Sequence, residues 1–186
     1  MIDKAFIETI LKRGYDAKDK FASELAGISP AQLNWKPTPS SWSIGQCLDH
    51  LIQSHNIYFD ELKHISQGTY EMNLWQKTSP FSGIWGMLMK RNMQEKPAWK
   101  VKAPKMIQPT TSNVSPGIME AYQNNTDIFL TYISGCGDVD IDKTVISSPI
   151  APIVTYNLRN AFRFLTDHEH RHLNQAIRVK KMMETH

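Results

Sequence analysis

The last long segment of the chain, from about Tyr156 to Met183, constrains the fold more than any other. At about 100° per residue, Leu158, Ala161, Phe162, Leu165, Ala176, Val179 and Met183 fall on one face of a helix. A helix with such a stripe has to lay it against other elements of the same domain. His172 and Glu169 sit within the stripe and His168 at its edge, whereas Asp167, His170 and Arg171 point elsewhere and read as solvated. Three ionisable groups on one helical turn are costly to bury unless each finds a partner or a metal.

Three further segments share the helical period. Ile2, Phe6, Ile10, Ala17, Phe21 and Leu25 predict a first helix over about 2–25, broken by Pro30 and by the stretch from Pro37 to Ser41. Ser43 with Gln46 is a capping-box pair, and Trp42 before it is placed as a hydrophobic staple, so a second helix is predicted over about 44–66. Ser115-Pro116 resembles an N-cap with a first-turn proline, and Ile118, Tyr122, Phe129, Tyr132 and Ile133 carry a third helix to about Ser134, where Gly135-Cys136-Gly137 ends it. Between the second and third helices, Phe81 to Met89 is a short apolar segment with glycines that weaken a helix. Lys96 to Gly117 holds four prolines and reads as a long loop, a length that in compact domains marks function or poor order. The β-branched stretch before Thr155 has room for a short extended piece but shows no alternating strand pattern. The expected fold is all-α: a four-helix bundle with a long proline-rich loop between helices 2 and 3, forming one domain over residues 1–186. Bundles of this kind build metal and cofactor sites from side chains on facing helices.

Composition narrows the function classes. Hydrophobic residues at 41% and charged residues at 21% fit a globular chain rather than a disordered one. The net charge of +3 comes from scattered Lys and Arg, without the basic run of a nucleic-acid binder. Cys47 and Cys136 form neither a disulfide framework nor a CxxC zinc knuckle, and no signal segment or membrane-spanning apolar run is present. A cytoplasmic protein with neither a nucleic acid nor a membrane as partner is the expectation.

His168 and His172, four apart, lie one above the other on a helix and present two imidazoles to a single ion. With Glu169 they spell H-E-x-x-H, but the positions that hold Gly and a third His in metzincins are Gln175 and Arg178 here. Only 14 residues follow His172, with Glu184 and His186 as the sole later candidates, so a third ligand has to come from upstream. The second helix offers His50 and His55, with His64 near its end. Its apolar face, made by Ile44, Cys47, Leu48, Leu51, Tyr58, Phe59 and Leu62, is centred near His55, and periodicity alone favours that residue over His50.

The segment Trp42-Ser43-Ile44-Gly45-Gln46-Cys47-Leu48-Asp49-His50-Leu51, together with His168-x3-His172-x2-Gln175, resembles the DinB-like superfamily of metal-binding four-helix bundles. The shared pattern is a Trp-Ser/Thr helix start, a His eight residues after the Trp, and an H-x3-H pair near the C-terminus. The resemblance implies a divalent metal, zinc or nickel, held by His50, His168 and His172 with open positions for water or substrate, and leaves His55 a supporting place. It also implies a small-molecule substrate, a possible homodimer, and one of two chemistries. The first is transfer to or from a low-molecular-weight thiol; the second is hydrolysis by metal-bound hydroxide with Glu169 as base. A non-catalytic, metal-stabilised or binding bundle is the third reading. Glu169 reads either as a catalytic group or as an ion-pair partner, and Gln175 either as support for His172 or as a polar edge residue. Trp42, Trp75, Trp85 and Trp99 fit core packing better than a pocket mouth, and Lys96, Lys100, Lys102 and Lys105 fit a solvated loop better than an anion grip.

Overall fold

The structure, a computed structural model, describes residues 2–80 and 103–185. The segment from Phe81 to Met89, with Trp85, and the loop residues Lys96, Trp99, Lys100 and Lys102 lie outside the described residues. In chain order the helices are α1 (Lys4–Glu24), α2 (Pro30–Asn34), α3 (Ile44–Ser66), α4 (Leu74–Thr78), α5 (Ile118–Gly135) and α6 (Leu158–Glu184). The four long ones make the bundle: α1 and α3 each pack against α5 and α6, and so face each other across a diagonal. No described helix is long and apolar enough to cross a membrane.

The helix starts follow local chemistry. At α3, Ser43 Oγ accepts from Gln46 N at 3.2 Å while Gln46 Oε1 accepts from Ser43 N at 3.3 Å, the reciprocal box that the sequence predicts. The same device starts α2 at Ser29 and Gln32, with Pro30 in the first turn, and α4 at Asn73 and Gln76. Both helices are five residues long, too short to show an apolar period. The predicted cap at Ser115 is corrected. The Ser115-Pro116 pair makes a preceding turn in which Ser115 O accepts from Ile118 N at 3.0 Å, and α5 begins after Gly117 with no side-chain cap. The stretch before α6 holds two antiparallel strands, β1 (Val145–Ser147) and β2 (Thr155–Asn157), with Ile146 opposite Tyr156. Three residues per strand give alternation too little length to register in the sequence.

The core has two apolar halves. One gathers Ile7, Ile10, Tyr58, Leu62, Phe129, Ile133, Tyr156, Phe162 and Leu165; the other gathers Phe21, Leu25, Leu33, Ile44, Leu48, Leu51, Tyr122, Leu173 and Val179. Along α3 and α6 the change from one half to the other falls at a layer of buried polar side chains: His50, Ser54 and His55 on α3, and His168, Glu169 and His172 on α6, with Asn125 and Thr126 facing them on α5.

The described end of the proline-rich loop, residues 103–117, is a strap over the first turns of α3, with a 3₁₀ turn at Lys105–Ile107 and with Ile107 and Val114 buried. Asp49 Oδ2 accepts from Thr110 N at 2.6 Å and from Thr110 Oγ1 at 2.8 Å, and Gln46 Nε2 donates to Thr111 O at 3.0 Å. Asn34 on α2 holds Val114 at both backbone groups, at 2.9 and 2.7 Å. Gly45 permits this approach, because a Cβ there would lie 3.0 Å from Val114 Cβ and 3.2 Å from Leu33 Cγ. Gly45→Val is therefore expected to lower stability in urea unfolding by about 1–3 kcal/mol, the usual cost of overpacking. An unchanged midpoint would show that the strap is not pressed against α3.

Candidate metal centre

Three imidazoles from two helices meet in the polar layer. His50, His168 and His172 are all buried, each with one nitrogen within 4.8 Å of the others. His50 Nε2 and His168 Nε2 are 3.0 Å apart. Helix α6 brings His168 and His172 together by their four-residue spacing. The capping box and the strap set the rotation of α3 that turns His50 toward them. His50 Nδ1 donates to the Ile107 carbonyl of the strap, which fixes the tautomer and leaves the Nε2 lone pair facing the other two rings. Trp42 covers the cluster, 4.8 Å from the His50 ring centroid and 5.6 Å from that of His172, the latter stacked at 24°. It is a wall of the site rather than a simple staple.

The remaining predicted residues take distinct places. His55 is buried, as periodicity expects, but faces α5: its Nδ1 pairs with Asn125 Oδ1 at 3.0 Å and its ring stacks on Phe129 at 4.2 Å. His64 is exposed and pairs with Thr69 Oγ1 at 2.9 Å. Glu169 is buried beside His168, yet its Oε1 accepts from Tyr122 OH at 2.7 Å, and it is not one of the three clustered residues. Gln175 is half-buried next to His172. Of the residues that read as solvated, Asp167 is half-buried and paired with Arg13 at 2.6 Å, His170 is half-buried, and Arg171 donates from Nη2 to His172 Nε2 at 3.2 Å. A helical wheel misses this because arginine's stem is long enough to curl from a flank toward the neighbouring face. Trp75 is partly exposed and donates to Ile153 O at 3.1 Å, and Lys105 is exposed.

Burial sets the charge of the layer. It pulls His50 and His55 down to about 4, with the Ile107 carbonyl and Asn125 respectively opposing it, and it pulls His168 and His172 well below the usual histidine range. The imidazoles are thus neutral near pH 7, the form that ligates metals. Burial also raises Glu169 to about 7, against the hydrogen bond from Tyr122. The donor set fits a divalent ion. Three neutral nitrogens are the ligands of an open zinc site, where they stand roughly 3.4 Å apart.

These shifts fix the pH dependence of the metal-free chain. Unfolded histidines take up protons near pH 6.5, whereas His50 and His55 in the fold refuse them until about 4. Stability is therefore lost as pH falls through this window, by up to ~1.4 kcal/mol per pH unit for each such histidine. Glu169, raised in the fold, contributes the opposite slope between 4.5 and about 7, one group against four. Urea unfolding at pH 7, 5.5 and 4.5 is expected to show falling stability. A flat or rising profile would mean that the histidines are not held neutral.

Among known proteins, the chain is 28% identical to "Uncharacterized protein YuaE" of Bacillus subtilis (strain 168) over 171 residues, covering 87% of this chain and 91% of that protein. No solved structure gives a significant match. Residues 15–176 match the DinB superfamily, a span that takes in the C-terminal part of α1, all of α3 and α5, and all three clustered histidines. The chain belongs to the DinB superfamily.

Proposed function

We propose that this DinB protein is a metal-dependent enzyme acting on a small molecule, with His50, His168 and His172 holding one divalent ion, zinc or nickel, and with thiol-dependent transfer as the favoured reaction. The supporting observation is the convergence of three buried imidazoles from α3 and α6 at a point where, among the described residues, no acidic ligand joins them. An all-imidazole set leaves the ion its full charge, so when bound it acts as a strong Lewis acid that makes a thiol or a water a better nucleophile near neutral pH.

The chain's own residues supply the rest. Ile107 O holds the His50 tautomer, Trp42 shields His50 and His172 from solvent, and Tyr122 OH anchors Glu169. Neither cysteine competes for the metal: both are buried outside the cluster, with thiols pushed up to about 12 by burial. A transfer reaction would therefore draw its thiol from a low-molecular-weight partner. Hydrolysis is the second reading, favoured by one observation: Glu169, held at about 7 beside His168, is poised to take a proton near neutral pH.

Elemental analysis of the purified protein and two variants tests the ligand set. About one metal per chain is expected for the native protein and for His55→Ala, with loss in His50→Ala. Retention by His50→Ala together with loss in His55→Ala overturns the assignment. Assay of the loaded protein with an electrophile plus a small thiol, and separately with ester and amide substrates, then separates the two reactions. Glu169→Gln should abolish hydrolysis but leave thiol transfer within a few-fold.

A further inference from the structure

Arg171 is half-buried, and among the described residues its guanidinium makes one hydrogen bond, from Nη2 to the neutral His172 ring. No carboxylate among the described residues pairs with it, and burial alone lowers its pKa. The other partly buried arginines of the bundle are matched: Arg13 with Asp167 at 2.6 Å, and Arg159 with Asp142 at 2.6 Å and Asp3 at 2.9 Å. Removing a cation from water without an anion is unfavourable. The mismatch grows on the metal reading above, on which this inference rests. A divalent ion held by the three histidines would add a second positive charge near this guanidinium.

The carboxylates nearby are already engaged. Asp49 is tied to Thr110 of the strap, and Glu169 accepts from Tyr122 on the α5 side. Among the described residues no carboxylate pairs with Arg171, so an anion from outside has a free partner there. Helix α6 continues the positive character away from the cluster: Gln175 and Arg178 follow Arg171 at four and seven residues, the spacing of one helix face. Arg178 is exposed, no salt bridge among the described residues holds it, and its charge reaches both His172 and Cys47 on α3.

We propose that Arg171, extended by Gln175 and Arg178, is the subsite for the carboxylate or phosphate group of an anionic small-molecule substrate whose reacting end lies at the histidine cluster. A guanidinium matches either group with two parallel N–H donors, and an ammonium does not. An uncharged substrate of similar size would leave the two like charges uncompensated.

Anion binding is measured on the full chain with acetate, inorganic phosphate and neutral acetamide, all at one ionic strength. In the metal-free protein, phosphate or acetate is expected to raise the thermal midpoint of the native chain and not that of Arg171→Gln, with Arg178→Gln intermediate. In the Co2+-loaded protein, whose visible bands report the metal's surroundings, the same anions should bind about tenfold or more weakly after Arg171→Gln. Arg171→Lys should restore only part of that loss, and the unliganded Co2+ bands should be unchanged in both variants. The better anion of the two identifies the substrate group. Equal anion affinity in native and Arg171→Gln, or binding of acetamide as tight as acetate, overturns the subsite while the metal reading stands. If instead no Co2+ bands depend on His50, but the metal-free anion effect still requires Arg171, the metal reading falls and the subsite stands.

Discussion

A layer of polar side chains runs through the middle of the bundle, between two apolar halves, and several of its members are matched to partners on other segments. An unpaired buried donor or acceptor costs about 1–3 kcal/mol, a large part of a small domain's stability. The pairs therefore tie elements together: His50 to the strap, His55 to Asn125 on α5, Glu169 to Tyr122 on α5, and the three clustered rings across α3 and α6. Sliding any of these helices by one turn would break several pairs at once. The apolar halves supply most of the driving force for collapse, while the layer selects which collapsed arrangement is native.

The long helices were legible in the sequence because their apolar stripes run for several turns and because Ser43 and Gln46 carry their cap chemistry in their identities. What the sequence hides is short or distant. The helices at Pro30–Asn34 and Leu74–Thr78 and the strands at Val145–Ser147 and Thr155–Asn157 are three to five residues long, within which no period repeats. The site was legible on α6, where His168 and His172 are neighbours by helical spacing. On α3 periodicity favoured His55, and that residue is indeed buried. It could not distinguish a histidine aimed at α5 from one aimed at α6, since both faces of α3 are covered. The Trp-to-His motif, a pattern of identity rather than of hydrophobicity, pointed to His50. Asp49, the Ile107 carbonyl and Tyr122 gave no signal, because their partners lie tens of residues away along the chain.

The electrostatics of the site are asymmetric. Toward α5 the polar layer is closed by hydrogen bonds from Tyr122 and Asn125. On the other flank of α6, Arg171 is half-exposed beside Trp42-covered His172, and Arg178 lies on the surface two turns along. A cationic approach to neutral imidazoles attracts anions from solution and repels free cations.

The contact that orients His50 comes from a main-chain carbonyl rather than from a side chain. Every amino acid, proline included, carries that oxygen, so exchanging the residue at 107 leaves the acceptor chemically present and threatens only its position. The orientation of the ring is thereby uncoupled from the identity of residue 107 and depends instead on the course of the backbone. The strap can vary its outward side chains, and with them whatever approaches the site, while the nitrogen presented by His50 stays the same.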